Sequence, residues 1–318
     1  MLRTSLLYLS RQPQIFRFVR NNGFAKAMAS RFVAGETIAT AMDAVASLNK
    51  KGITASLDLL GESVSNEAEA RAAGAQYLQL LDAIAERKVD ANVSVKMTAM
   101  GQDISDDLCE EIMRAILDRA KQYGSFVRLD MEGSAYTQRT IDFFEQRLYP
   151  HYPENVGIVL QSSLRRTPAD TERAIDIQCR VRMCKGAYLE PPIVAFPDKK
   201  DVDATYVQCM QALMERGRYP GLATHDPKII DEAKRFAKEK GIAPDRFEFQ
   251  MLYGVRRDLQ DQLAREGYRL RVYVPFGTQW YPYLMRRLAE RPANLAFITG
   301  NILREMTGSA KAGASGRA

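Results

Sequence analysis

The chain has 318 residues, 46% of them hydrophobic, with 45 Lys and Arg against 39 Asp and Glu. That suffices for one large core, and no apolar run approaches the roughly 18 residues that a membrane span needs. The net charge of +6 sits at the start of the chain. Arg3, Arg11, Arg17, Arg20, Lys26 and Arg31 precede the first acid, Glu36, and the remaining charges balance. This argues against a body that grips nucleic acid.

Residues 1–45 are expected to form a basic helical arm, with Leu6, Leu7, Leu9, Ile15, Phe16, Phe18 and Val19 among its cations. Pro13 favours two short helices over one. Such an arm can lie on an anionic bilayer or pack beside the body with its arginines in water. Its acid-free, Arg-rich start also has the look of a transit peptide.

Short β-branched runs then recur between helical patterns. The predicted strands are Ile53–Leu59, Asn92–Thr98, Phe126–Met131, Val156–Gln161, Arg180–Lys185, Leu222–His225, Phe247–Met251 and Leu270–Val274. The predicted helices are Asn66–Arg87, Ser105–Gln122, Thr137–Leu148, Pro168–Ile177, Asp203–Arg216, Pro227–Lys240, Arg256–Glu266 and Tyr281–Leu288. Ser105, Thr137 and Asp226 read as N-caps, and Gly124, Gly217, Gly241 and Gly267 as stops. Eight β/α pairs predict an α/β fold, a (βα)8 barrel over residues 46–305. A doubly wound sheet is the runner-up, without a Gly-x-Gly-x-x-Gly turn to support it. The Gly/Ala/Ser-rich tail at 306–318 is expected to be disordered.

Chemistry in a barrel gathers where the strands end. Those ends carry Asp58, Lys96, Asp130, Gln161, Lys185, His225 and Gln250. Ser94, Lys96, Arg128, Asp130, Arg180 and Arg182 alternate with apolar residues, so they are expected to point into the barrel mouth. Lys185-Gly186-Ala187 lets backbone N–H groups approach an anion. His225, in Thr-His-Asp-Pro, stands at a helix N-terminus. In the last helix Tyr283 and Arg287 share a face, as do Arg286 and Glu290, and paired guanidiniums suit a small carboxylate. Each position also admits a structural reading: a salt-bridged core lysine at 96, a turn glycine at 186, a solvated basic face at 286–287. Cys109, Cys179, Cys184 and Cys209 lack metal-ligand spacing, and only two histidines accompany them, so no metal site is expected.

Eight motifs together carry a family resemblance: Ser-Val-Lys-Met-Thr (94–98), Val-Arg-Leu-Asp-Met-Glu (127–132), Val-Leu-Gln (159–161), Arg-Met-Cys-Lys-Gly-Ala-Tyr (182–188), Ala-Thr-His-Asp-Pro (223–227), Phe-Gln-Met-Leu-Tyr-Gly (249–254), Arg-Val-Tyr-Val-Pro-Phe-Gly (271–277) and Tyr-Leu-Met-Arg-Arg-Leu-Ala-Glu (283–290). In this order they closely resemble proline dehydrogenase, both the short bacterial monofunctional enzymes and the domain in bifunctional proline-utilisation proteins. The resemblance implies a distorted barrel holding FAD noncovalently. It implies oxidation of L-proline to Δ1-pyrroline-5-carboxylate, with hydride leaving C5 for flavin N5 and electrons passing to a membrane quinone. A separate pyrroline-5-carboxylate dehydrogenase would follow. The implied location is the bacterial cytoplasm, with peripheral association at the inner membrane.

Carried over by motif, Arg286, Arg287 and Lys96 would bind the substrate carboxylate. Tyr188, Leu252, Tyr273 and Tyr283 would wall the ring. Asp130, Arg182 and Tyr273 would serve the catalytic network, with Arg182 near flavin N5. Met131, Gln161, Lys185, Gly186, Ala187, Thr224, His225, Gln250 and Glu290 fall on FAD-contact positions. Glu62 would pair with Arg286 when the pocket closes. Two departures stand out: Asp226 where bifunctional enzymes tend to have Asn, and Cys184 where aliphatic residues are usual. Competing readings are a Schiff-base lysine aldolase built on Lys96 or Lys185, and a basic-arm membrane- or partner-binding protein.

Overall fold

The computed structural model describes residues 29–61 and 63–290, and of residues 286–290 the backbone alone. The arm up to residue 28, the tail, Glu62 and the side chains of Arg286, Arg287 and Glu290 therefore lie outside the described residues. Eight parallel strands close into a barrel in sequence order. They are β1 (Thr54–Leu59), β2 (Ala91–Val95), β3 (Val127–Leu129), β4 (Val156–Gln161), β5 (Arg180–Cys184), β6 (Gly221–Ala223), β7 (Glu248–Leu252) and β8 (Leu270–Phe276). A helix, α1 (Ile38–Asn49), precedes them. The connecting helices are α2 (Glu67–Arg87), α3 (Asp106–Gln122), α4 (Ser134–Phe143), α5 (Thr167–Asp176), α6 (Lys199–Arg216), α7 (Pro227–Lys240) and α8 (Arg257–Arg265), and α9 (Trp280–Glu290) follows β8. The predicted α/β barrel is the observed fold.

Alternation along the strands decides what fills it. Leu57, Val93, Val95, Val127, Leu129, Ile158, Leu160, Val181, Met183, Leu222, Phe249, Met251, Val272 and Val274 are all buried in the hydrophobic core. Residues of the opposite parity lie in register around the ring: Asp58 beside Ser94, Ser94 beside Arg128, Arg128 beside Gly157, Gly157 beside Arg180. The series continues with Arg182 beside Gly221, Gly221 beside Glu248, Gln250 beside Arg271 and Leu252 beside Tyr273. A barrel interior is usually filled with branched apolar residues. Here it is filled with guanidiniums, carboxylates and amides, and glycine makes the room. A Cβ on Gly157 would stand 2.6 Å from Arg128 Nη1, and one on Gly221 would stand 2.3 Å from Gln250 Nε2.

The interior is layered, and only its upper part is the mouth. Lys96, Asp130 and Arg182 reach it, and Ser94 lies just beneath. Arg128 and Arg180 do not, contrary to expectation. Arg128 Nη1 donates to the carbonyls of Ile158 at 3.1 Å and Arg180 at 2.6 Å, and both guanidiniums stack on Phe126. They sit two residues earlier on their strands than Asp130 and Arg182, which puts them one layer deeper. Burial, with Arg182 close by, pushes the Arg128 guanidinium well below its ordinary range.

Other differences have local causes. α1 begins inside the span expected for the arm and runs past it to Asn49, with Ala41, Met42 and Val45 as its buried stripe. It carries a Thr37–Thr40 capping box and packs on β1, β8 and α2. The fourth helix begins at Ser134, not Thr137, which is buried. Its cap comes from a distant loop: Glu190 accepts from Ser134 N at 2.7 Å and also from its hydroxyl. No local signal announces a cap of that kind. α6 begins four residues before the predicted Asp203, and its first residue, Lys199, ion-pairs with Asp203 one turn on. Residues before α1 cross the strand ends: Ala34 N donates to Pro275 O, and Gly277 N to Gly35 O. Gly254 is left-handed (φ +73°) and passes so close to the Arg31 carbonyl that no Cβ would fit.

Candidate active site

One cavity of about 470 Å³ opens at the strand C-termini. It gathers Asp58 from β1, Lys96 after β2, Asp130 and Met131 after β3, Gln161 from β4, Arg182 and Cys184 from β5, Gln250 and Leu252 from β7 and Tyr273 from β8. Lys185, Gly186, Ala187 and Tyr188 come from the β5–α6 loop, Thr224 and His225 from the β6–α7 turn, and Tyr283 from α9. Every described side chain that the family motifs assign to substrate, cofactor or the catalytic network lines this cavity, while Arg128 and Arg180 lie below it. Trp280 Nε1 donates to Glu36 at 3.0 Å and so fixes the start of α9 against the segment before α1. A larger cleft, about 670 Å³, runs along α2 beside Leu59, Tyr77 and Pro282, with Glu36 and Glu69 as its carboxylates among the described residues. The chemistry concentrates in the smaller one.

Two buried charge systems form its floor. Lys96 Nζ donates to Asp58 Oδ1 at 2.7 Å, with the Asp58 side chain 1% exposed and that of Lys96 12% exposed. Burial pushes the Asp58 carboxyl up, Lys96 opposes this, and Asp130 adds to it. In the second system Arg182 Nη1 donates to Asp130 Oδ1 at 2.7 Å, and the Tyr273 hydroxyl donates to Asp130 Oδ2 at 2.6 Å. Burial, with Asp130 and Asp58 nearby, holds the Tyr273 phenol well above its ordinary range, so it stays a donor. The Arg182 guanidinium also lies over the Tyr273 ring, 5.3 Å from its centre.

The rim is built from turns. Gly186 is left-handed (φ +102°), and a Cβ there would collide with Ser163 Oγ at 2.3 Å. The glycine thus lets the loop pass close over Gln161 and Ser163. Lys185 pairs with Asp203 at 2.6 Å and with Asp226 at 2.9 Å, and Lys199 lies 3.5 Å from Asp226. Asp226 also caps α7 through Lys228 N at 3.2 Å. Burial pushes the Asp226 carboxyl up, but Lys185 and the cap bond outweigh it, and the net direction is down. His225 Nε2 accepts from Leu252 N at 2.9 Å, which places the ring proton on Nδ1. Gln161 Nε2 donates to Glu132 O at 2.9 Å.

The fold also brings here Ser94, expected at the mouth, and four residues without a motif of their own: Ser56, Glu248, Lys199 and Asp203. Ser56, Ser94 and Glu248 stand behind Arg182, and Lys199 and Asp203 surround Lys185. The signal for Ser56 was available: Thr54, Ser56 and Asp58 share the parity of one strand face. Lys199 had none, since it depends on how a loop returns. Among the described residues no group of three or more His, Cys, Asp or Glu side chains converges as a metal site would.

Comparison with known proteins agrees. Residues 41–300 match the proline dehydrogenase family model. The chain is 42% identical to a proline dehydrogenase of Deinococcus radiodurans over 305 residues, 95% of this chain and 98% of that one. It is 41% identical to proline dehydrogenase 1 of Bacillus subtilis strain 168, over 96% of this chain and all of that one. Its fold superposes with a TM-score of 0.80 on proline utilization A from Bdellovibrio bacteriovorus, solved after inactivation by N-propargylglycine. That likeness has 27% identity and covers 87% of this chain and 34% of the larger one. With a family match over most of its length and near-full-length relatives above 40% identity, this chain belongs to the proline dehydrogenase family, and proline dehydrogenation is its activity.

Proposed function

We propose that the cavity holds FAD noncovalently and that L-proline is oxidised against it to Δ1-pyrroline-5-carboxylate. The observation that carries this reading is the convergence of Lys96, Asp130, Arg182, Lys185, Gly186, His225 and Tyr273 on one cavity at the strand ends. The residues fit a flavin: Gly186 keeps the loop open, the Arg182 guanidinium borders the cavity from below, and Met131, Ala187 and Leu252 supply apolar wall. When bound, FAD supplies the two-electron acceptor for the hydride from C5.

The chain's own residues then position and desolvate. Arg286, Arg287 and Lys96 hold the proline carboxylate, a handle remote from C5, and binding energy there orients the ring. Tyr188, Leu252, Tyr273 and Tyr283 wall the ring and exclude water, which strengthens each charge contact inside. Asp130 keeps Arg182 and Tyr273 in fixed orientation. Gln161, Thr224, Gln250, Lys185 and His225 contribute polar contacts along the cofactor, with Glu290 as a further contact. Glu62 pairs with Arg286 over the bound substrate.

Lys96 is held by Asp58, and Lys185 by Asp203 and Asp226, so both amino nitrogens that a Schiff-base aldolase would use as nucleophiles are engaged by side chains of the wall. Electrons leave for a membrane quinone, reached through the basic arm, and the product passes to a separate dehydrogenase. The test is the purified protein's spectrum and cofactor content. A flavin band, with FAD released on denaturation, supports the reading. Borohydride trapping of substrate on a lysine, without flavin, overturns it.

A further inference from the structure

Beneath the cavity lies a buried carboxylate that this reading leaves without a part. Glu248 opens β7 two residues before Gln250, on the same face of the strand, and is 4% exposed. Its Oε1 accepts from Gln250 Nε2 at 2.6 Å and from Arg271 Nε at 2.8 Å. Its Oε2 accepts from the Tyr219 hydroxyl at 3.2 Å. Gln250 Oε1 in turn accepts from Arg182 Nε at 2.5 Å.

The two ends of Gln250 thus have opposite partners. Turned over, the amide would set its NH₂ against the Arg182 N–H, donor to donor, and its carbonyl against the Glu248 carboxylate, acceptor to acceptor. Only one orientation satisfies both ends. Gly221 lies against the amide, and a Cβ at that position would stand 2.3 Å from Gln250 Nε2.

The consequence falls on Arg182. Its Nη1 donates to Asp130 at 2.7 Å, and its Nη2 donates to Ser94 at 3.1 Å and Ser56 at 3.3 Å. With Nε on Gln250, four of the five guanidinium N–H groups are committed to the wall among the described residues. One N–H, on Nη1, remains for the cavity.

We propose that Glu248 is a positioning residue for the redox step. By locking the Gln250 amide it sets the plane of the Arg182 guanidinium, and with it the direction of the one N–H that Arg182 presents to bound flavin. This rests on the reading of the cavity as a flavin site. An N–H aimed at the ring stabilises the negative charge that two-electron reduction brings, so its loss makes reduction harder.

The test is Glu248→Gln in the full-length holoprotein. A glutamine offers Gln250 either a carbonyl or an NH₂, so the lock is lost while a hydrogen-bonding side chain remains. The expected result is flavin content as in the wild type, a midpoint potential of the bound flavin shifted to more negative values, and kcat lower by about tenfold, the weight of one charge-assisted hydrogen bond. KM for proline should stay within about twofold on the same scale. A variant that loses only thermal stability, with wild-type potential and wild-type kcat per flavin, overturns the proposal.

Gln250→Met breaks the lock at its other end and leaves Glu248 paired with Arg271, so it carries the test should E248Q not fold. A wild-type flavin potential in Q250M also overturns the proposal. The double variant E248Q/Q250M should be no slower than Q250M alone, because the effects share one path. Additive losses overturn it. Wild-type protein without flavin overturns both this inference and the reading of the site. Wild-type flavin with an unshifted E248Q overturns the inference alone.

Discussion

Lys96 Nζ and Asp58 Oδ1 lie 2.7 Å apart at the barrel mouth, joining a carboxylate with a side chain 1% exposed to the charge that the proline carboxylate is proposed to meet. A buried pair is most sensitive to the loss of one partner, because the other charge stays behind without compensation. Lys96→Met should therefore cost about 3–5 kcal/mol in urea unfolding. The double variant K96M with Asp58→Asn should recover much of that loss. A single variant as stable as the wild type would show that the pair has no such role.

Arg182 makes four donor contacts, to β1, β2, β7 and the residue that follows β3, and an ammonium cannot reproduce that fork. Arg182→Lys should lower kcat by roughly ten- to hundredfold, the equivalent of about 1.5–3 kcal/mol for a lost charge-assisted bond. Steady-state kinetics normalised to bound flavin measure this. An unchanged kcat per flavin would remove Arg182 from the reaction.

The α9 arginines are proposed to act on binding. Arg286→Ala or Arg287→Ala should raise KM for proline by roughly ten- to hundredfold, and Lys at either position should not restore it. Near-normal proline kinetics in both alanine variants would refute the clamp.

Acid stability has a buried source in Glu248. Burial pushes its carboxyl up, but Arg271, Gln250 and the Arg128 charge outweigh this and hold it below its ordinary value of 4.5. A depressed carboxyl stabilises the fold above its unfolded value, and the contribution is lost as pH falls through the folded value. The protein should lose stability as pH drops below about 4.5, and Glu248→Gln should show a shallower slope there. Urea midpoints from about pH 6 to about pH 3 test this, and parallel slopes would assign the acid lability elsewhere.

The barrel was legible because its strands alternate strictly. Val93-Ser94-Val95-Lys96 and Val127-Arg128-Leu129-Asp130 state both the strand and its two faces. Which inward residues reach the mouth was less legible. Arg128 and Arg182 look alike in sequence, and only the register of the strands puts one beneath the floor of the cavity and the other in it. The Glu190 cap on Ser134 and the Lys199–Asp226 contact were not legible, since each joins segments that only the fold brings together. The Gln250 amide is the clearest case. Its position at the cavity followed from the motif, but its commitment to Glu248 and Arg182 required the neighbouring strands.

The central claim is that this cavity takes proline by its carboxylate and removes hydride from C5. Single-turnover reduction of the holoprotein by proline carrying two deuterium atoms at C5 tests it most directly. The account predicts slower flavin bleaching than with unlabelled proline, and a product that keeps one deuterium and has lost the other. A product that retains both, formed at the unlabelled rate, would place the oxidation elsewhere on the ring and contradict the account.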